Sequence, residues 1–315
     1  MKKIIILGST GFIGRNLTNY FSKQKKLKVY AVYNKRRPWK NSKVKFLKAD
    51  LTDPFQADKV LKNKDIVIQA AATTTGAKDI VSKPYIHLTD NVVINSYVLR
   101  STFHNNNKFV IFFSCSVMYQ NSKRPIKEID LNLNKDPYPK YFGAAWMKIF
   151  VEKSCEFYSR FKKAKYLVIR HTNIYGPHDK FDLEKSHVFG ATITKVLNAK
   201  DKLEVWGDGK ETRDFLFIDD LINFVQIAIN KQKKFFELVN VSSGKSLTIR
   251  SLVNKIIKLS GKKILVNYNL KKPTIKTDIS LSSKKAFKIF KWKPTTSIDL
   301  GIKKTMDWYQ KNIKN

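Results

Sequence analysis

The first fourteen residues constrain this chain more than any other stretch. Ile4, Ile5, Ile6 and Leu7 form a short apolar run without helical period, which predicts a buried parallel strand. Gly8, Gly11 and Gly14 follow within Gly-Ser-Thr-Gly-Phe-Ile-Gly, and Arg15 to Ser22 reads as a helix. A strand, a glycine-rich turn and a helix start, in that order, build a phosphate site. Glycines let the backbone approach a pyrophosphate, and the helix N-terminus aims unpaired N–H groups at it. The expected cofactor contacts are Gly8, Thr10, Gly11, Phe12, Ile13 and Gly14.

The same alternation of strand and helix continues. Strands are expected at 28–33, 44–47, 66–69 and 108–113, with helices at 54–61 and 88–103 between them. About six such units imply an α/β fold with a doubly wound parallel sheet of Rossmann type, its ligand beyond the C-terminal strand ends. Asp50-Leu51 and Ala70-Ala71-Ala72 close two of those strands, and the small alanines let a cofactor lie near the backbone. At the end of the second strand an acidic residue would select NAD by binding a ribose hydroxyl. Here stand Tyr33, Asn34, Lys35, Arg36 and Arg37, so NADP is favoured over NAD, with Asn34 and Arg36 as contacts.

The chain has 315 residues, enough for a large core, and no apolar run approaches the roughly 20 residues of a membrane span. Two cysteines, Cys115 and Cys155, suit reduced thiols in a cytoplasm. Lysine and arginine number 61 against 25 acidic residues, a formal charge of +36. These cations are spread along the whole chain without a nucleic-acid motif. They read as solvated faces whose field attracts phosphorylated ligands, and neither nucleic acid nor membrane is expected as a partner.

Further on, Ser114-Cys115-Ser116 ends the fifth strand, a helix is expected over 138–158 with Lys148 inside it, and a strand at 167–170 leads into Asn173-Ile-Tyr-Gly-Pro177. Together with the glycine triplet and the alanine run, these resemble the extended short-chain dehydrogenases/reductases, which include nucleotide-sugar epimerases, dehydratases and reductases. The segment Tyr175–Val188 is similar to that of GDP-fucose synthases, as is Val205-Trp-Gly-Asp-Gly-Lys-Glu-Thr-Arg-Asp-Phe215. The resemblance implies a small C-terminal α/β substrate domain and a nucleotide-sugar substrate, with a GDP-linked 4-keto-6-deoxyhexose among the candidates. It implies His187 as an acid, Arg213 and Lys180 on the diphosphate, Asn173, Val188 and Trp206 along the substrate, and a homodimer. The cofactor domain is expected over 1–170 with a returning segment at about 212–245, and the substrate domain over 171–211 and 246–315. Pro273 and Trp292 fall in the latter.

One departure stands out. Such enzymes place a Tyr four residues before the helical Lys, one turn away on the same face, where its phenol trades a proton with the substrate oxygen. Four residues before Lys148 stands Ala144. Tyr141 lies seven residues before it, about 10 Å along a continuous helix. It serves only if the helix begins later and the ring folds back from a loop. The hydroxyl site holds Cys115, flanked by Ser114 and Ser116, and the position of the synthases' cysteine base holds Val117. Three readings follow: an engineered Tyr-to-Ala change, an enzyme using other groups (Cys115, Ser114, Ser116, His187 or Tyr141), or a silent dinucleotide-binding sensor or scaffold.

Overall fold

A computed structural model describes residues 1–73, 83–184, 186–272 and 274–313. Pro273 lies outside them. The first strand, β1 (Lys2–Leu7), is followed by α1 (Phe12–Phe21), β2 (Leu27–Tyr33), β3 (Val44–Lys48), α2 (Pro54–Leu61), β4 (Ile66–Gln69), α3 (Thr89–His104) and β5 (Phe109–Cys115). Next come α4 (Phe142–Ser159), β6 (Lys165–His171), β7 (Asn173–Tyr175), α5 (Val188–Asn198), β8 (Lys202–Trp206), β9 (Thr212–Phe217), α6 (Ile218–Lys231) and β10 (Phe236–Val241). The chain finishes with β11 (Ser246–Thr248), α7 (Ile249–Ser260), β12 (Leu265–Asn269), α8 (Lys284–Phe290) and α9 (Ile298–Asn312).

Seven strands form one parallel sheet in the order β10-β6-β5-β4-β1-β2-β3. The chain leaves β1 for β2 and β3, then returns to the far side of β1 through β4. Strand order therefore reverses between β1 and β4, the place where an open α/β sheet leaves a crevice. Ile4, Ile5, Ile6 and Leu7 are wholly buried because helices cover both faces. Ile4 and Ile6 join the cluster with α1 and α6, and Ile5 and Leu7 the cluster with α2 and α3. Burying each such side chain contributes about 1.5–3 kcal/mol.

A three-stranded sheet, β11-β9-β7, and the β12-β8 pair build the second part with α5, α7 and α9. β9 belongs to that smaller sheet, so the chain rejoins the large sheet through α6 and β10. Asp214 on β9 ties the two parts together. Buried, it accepts from Ser243 Oγ at 2.6 Å and from the Ser243 and Gly244 amides at 3.0 and 3.2 Å.

The helix expected over 138–158 begins later. Pro139 disfavours helical geometry at Tyr138, whose ψ is 130°. A short 3-10 turn, Pro139–Tyr141, precedes α4, and Tyr141 sits at its N-cap with φ −104° and ψ 0°. The axial offset of a continuous helix does not apply to Tyr141.

Candidate functional site

One cleft of about 1850 Å³ runs along the C-terminal ends of the large sheet and into the smaller part. At the strand reversal, Gly8 has φ +71°, and a Cβ there would lie 2.5 Å from Ala71 Cα and 2.7 Å from the Ala70 carbonyl oxygen. Glycine alone lets the two strand ends meet. The loop then exposes Thr10, Gly11, Phe12 and Ile13 to the cleft. Gly14 is not on its wall. Its missing side chain makes room for the Gly8 carbonyl, which a Cβ would approach to 2.2 Å, so Gly14 seats α1 against the loop.

Asn34, Arg36, Asp50, Leu51, Ala70, Ala71 and Ala72 line the same half. Asp50 is committed locally, accepting from the Thr52 amide at 3.0 Å and its hydroxyl at 2.7 Å, which holds its carboxyl below the usual range. Arg36 Nη1 lies 3.5 Å from the Thr10 carbonyl oxygen. Arg15, one residue past the glycine triplet, stacks its guanidinium 4.7 Å over the Trp39 ring. Its Nε is buried without a hydrogen-bond partner, and burial, then the charge of Arg36, pulls its pKa down. Sequence reasoning passed over Arg15 because it falls inside a predicted helix.

Deeper in, Lys148 donates from Nζ to the Phe113 carbonyl at 2.7 Å and lies 4.7 Å over the Phe112 ring. Burial lowers its pKa, and Cys115 and Glu152 oppose that shift. Cys115 and Ser116 face the cleft. Burial pushes the Cys115 thiol up against the pull of Lys148, so at rest it holds its proton. Ser114 does not reach the cleft. Alternation along β5 turns it to the opposite face, where its hydroxyl donates to Glu152 at 2.5 Å. Glu152 pairs with Arg170 at 2.6 Å, and Arg170 donates to Tyr119 at 2.7 Å, closing a buried structural network.

Tyr141 faces the cleft beside Ala144. Burial raises its phenol pKa, while Arg213 lowers it and Cys115 raises it, so the ring lies within electrostatic reach of both. Asn173, Lys180, His187, Val188, Trp206 and Arg213 line the remaining wall. Asn173 donates to the Asp214 carbonyl at 3.1 Å. Arg213 donates to the carbonyls of Thr212, Thr277 and Ile275 at 2.7, 2.6 and 2.5 Å, so it braces the 275–277 segment as it borders the cleft. Trp206 donates to Glu204 at 3.2 Å, with Lys195 and Lys272 each 5.7 Å from its ring. Trp292, by contrast, is core, donating to the Asp220 carbonyl at 3.2 Å.

His187 occupies the residue before α5, lines the cleft and makes no side-chain capping bond, and desolvation, then Lys180 and His87, pushes it down to about 4. It is therefore neutral near pH 7. Asp179 and His171, both on the cleft wall, escaped the sequence reading. Asp179, inside the quoted Tyr175–Val188 segment, is pushed up to about 7 by desolvation, with its Lys180 contacts opposing. His171, at the end of β6, is neutral with a pKa of about 4. Its signal was alternation, because Arg170 points into the buried network and its neighbour must then point away.

No group of three or more His, Cys, Asp or Glu among the described residues is placed to hold a metal, and none of the described helices is long and apolar enough to cross a membrane.

The model of the NAD-dependent epimerase/dehydratase family matches residues 4–242. The chain is 31% identical over 276 residues to a GDP-L-fucose synthase of Sinorhizobium fredii, covering 84% of this chain and 86% of that one. It is 27% identical over 320 residues to a GDP-L-colitose synthase of Yersinia pseudotuberculosis, covering 99% of each. Its fold is similar to that of UDP-glucuronic acid 4-epimerase from Bacillus cereus, solved with UDP-glucuronic acid and NAD: TM-score 0.82, 25% identity, 98% of this chain and 99% of that one.

Proposed function

The chain belongs to the NAD-dependent epimerase/dehydratase family, and from that premise we propose that it is an NAD(P)-dependent nucleotide-sugar epimerase/reductase acting on a GDP-linked 4-keto-6-deoxyhexose. The observation that carries this reading is the single cleft that joins the glycine loop, Lys148 and Cys115 to Lys180, Trp206 and Arg213. The Gly8 cradle, too close to Ala71 for any side chain, fits a dinucleotide pyrophosphate against bare backbone. NADP is favoured over NAD, because Arg36 and Asn34 stand where an acidic ribose ligand would otherwise be and suit a 2′-phosphate.

The bound nicotinamide supplies a hydride acceptor or donor. The chain's own residues do the rest. Lys148 holds the nicotinamide ribose and keeps positive charge beside the reacting oxygen. Tyr141 takes the place left by Ala144, donating its phenolic proton to the sugar oxygen while the Arg213 charge favours the phenolate that remains. Ser116 and Cys115 contact the sugar, Lys180 and Arg213 face the diphosphate, and Trp206 offers a stacking face for the base, guanine in preference to uracil given the relatives.

The second reading, a silent dinucleotide-binding sensor or scaffold, is favoured by Ala144 alone. We also assign a homodimer, through the outer face of α4, and a cytoplasmic setting consistent with two unpaired cysteines.

Native mass spectrometry, followed by identification of released small molecules, tests both readings. A dinucleotide with a nucleotide-sugar supports the enzyme. Turnover by the wild-type protein, lowered about 10²–10⁴-fold in Tyr141→Phe with binding retained, assigns the proton donor. A protein that binds cofactor yet turns over no nucleotide-sugar is the scaffold.

A further inference from the structure

Cys115 and His171 are register partners on the adjacent parallel strands β5 and β6, at the C-terminal edge where both strands open into the cleft. Register partners in a parallel ladder point to the same face, with their strands about 4.8 Å apart. The His171 ring also packs edge-on to Phe113, 6.2 Å between centroids, and Phe113 shares the Cys115 face of β5. The imidazole and the thiol therefore occupy the same corner of the site.

Only one of them is set up to take a proton. His171 Nδ1 lies 2.7 Å from the Thr172 carbonyl oxygen. A carbonyl only accepts, so Nδ1 carries the hydrogen, and Nε2 is left with its lone pair. Burial keeps the ring unprotonated against the Thr172 carbonyl contact, and among the groups that face it Lys148 from α4 and His187 from the start of α5 act in the same direction as burial. Cys115, in contrast, is a protonated thiol, because burial outweighs the pull of Lys148, and Glu152 pushes the same way as burial. A protonated thiol is not a base.

Resting on the nucleotide-sugar reading above, we infer that His171, through Nε2, is the catalytic base that removes the proton from the sugar carbon beside the keto group. The C–H bond breaks, its proton moves to Nε2, and its electron pair passes into the carbonyl as an enolate. The imidazolium that forms stands against this new negative charge. When the enolate collapses, the carbon takes a proton back, either from Nε2 or, after exchange with water in the cleft, one derived from solvent. Cys115 is then a polar neighbour that packs against the sugar.

The test is deuterium wash-in. Protein loaded with NADP and a GDP-linked 4-keto-6-deoxyhexose is placed in D2O, and deuterium at the sugar carbons is read by mass spectrometry. The wild-type protein incorporates deuterium, His171→Gln does so about 10²–10⁴-fold more slowly, and Cys115→Ser, slowed only through its contact with the sugar, still incorporates deuterium well ahead of His171→Gln. Added imidazole restores part of the rate in His171→Gln. Fast wash-in by His171→Gln with loss in Cys115→Ser makes the thiol the base and overturns the inference, leaving the nucleotide-sugar reading intact. No wash-in by the wild-type protein on a sugar it binds removes that reading and this inference together. Nitrogen-15 NMR of the histidine side chains gives an activity-independent check on folded wild-type protein. An Nε2–H tautomer or an imidazolium at His171 near pH 7 overturns the assignment on its own.

Discussion

Arg36 stands at the rim of the cleft, 3.5 Å from the Thr10 carbonyl, and its charge already depresses Arg15 next to it. An exposed guanidinium on the cleft wall suits a 2′-phosphate, and a ribose hydroxyl gives it no charge to meet. Arg36→Ala is therefore expected to weaken NADP about 10–100-fold, the scale of one charge-assisted contact, while changing NAD several-fold at most. Fluorescence titration with both dinucleotides checks this. Equal losses for the two would show that Arg36 supports the loop and does not select the cofactor. The missing acid at this corner was readable from residues 33–37 alone. The paired cation was not, because Arg15 joins Arg36 only after β1, α1 and β2 have folded. The thiol corner behaves alike: Cys115 was legible as a strand end, but its partner His171 comes from a strand that sequence brings no nearer than fifty residues.

At the scale of elements, strand and helix positions followed from periodicity because the sheet is buried on both faces and its strands are apolar runs between turns. The start of α4 was legible only in part. The apolar pattern of 142–158 reads back smoothly through Pro139, so the helix was expected from 138, and backbone geometry at Tyr138 and Tyr141 decides where it begins. The outer face of that helix carries a second message. Phe142, Phe150 and Phe157 are each about half exposed, at 51%, 50% and 54%, and Phe161 just beyond the helix is 50% exposed. Phe142, Phe150 and Phe157 recur near multiples of a helical turn, so they form a stripe, and Phe157 packs against Phe161 at 5.4 Å. A stripe of phenylalanines in a chain with a charge of +36 is costly to leave in water. The homodimer proposed above would cover it with the same face of a second copy. Phe150→Lys with Phe157→Lys is expected to convert a dimer to a monomer in sedimentation experiments, with helical circular dichroism unchanged. A wild-type protein that sediments as a monomer at tens of micromolar removes the assignment.

For the molecule as a whole, the cleft and the buried segment beside it hold groups whose protonation differs between folded and unfolded chain, and they pull stability in opposite directions. His171, His178 and His187 are pushed from 6.5 to about 4 by desolvation. Between those values the unfolded chain binds protons that the folded chain refuses, so stability is lost as pH falls from 6.5 to 4. Asp179 is pushed from 3.8 up to about 7. Over that window the folded chain holds a proton that the unfolded chain releases, so its contribution is lost as pH rises from 3.8 through 7. The aspartate thus offsets one histidine across the acid range, each acting by at most about 1.4 kcal/mol per pH unit. Asp179→Asn cannot titrate and removes the offset. The variant should lose stability more steeply than the wild-type protein between pH 6.5 and 4, and should gain on it steadily as pH rises from 4 to 7. Urea unfolding at four pH values reads both slopes. Parallel curves would mean that Asp179 is ionised throughout this range in the fold. Lys180 and cleft water would then satisfy it, and it would serve as a fixed negative charge beside the substrate and not as a proton store.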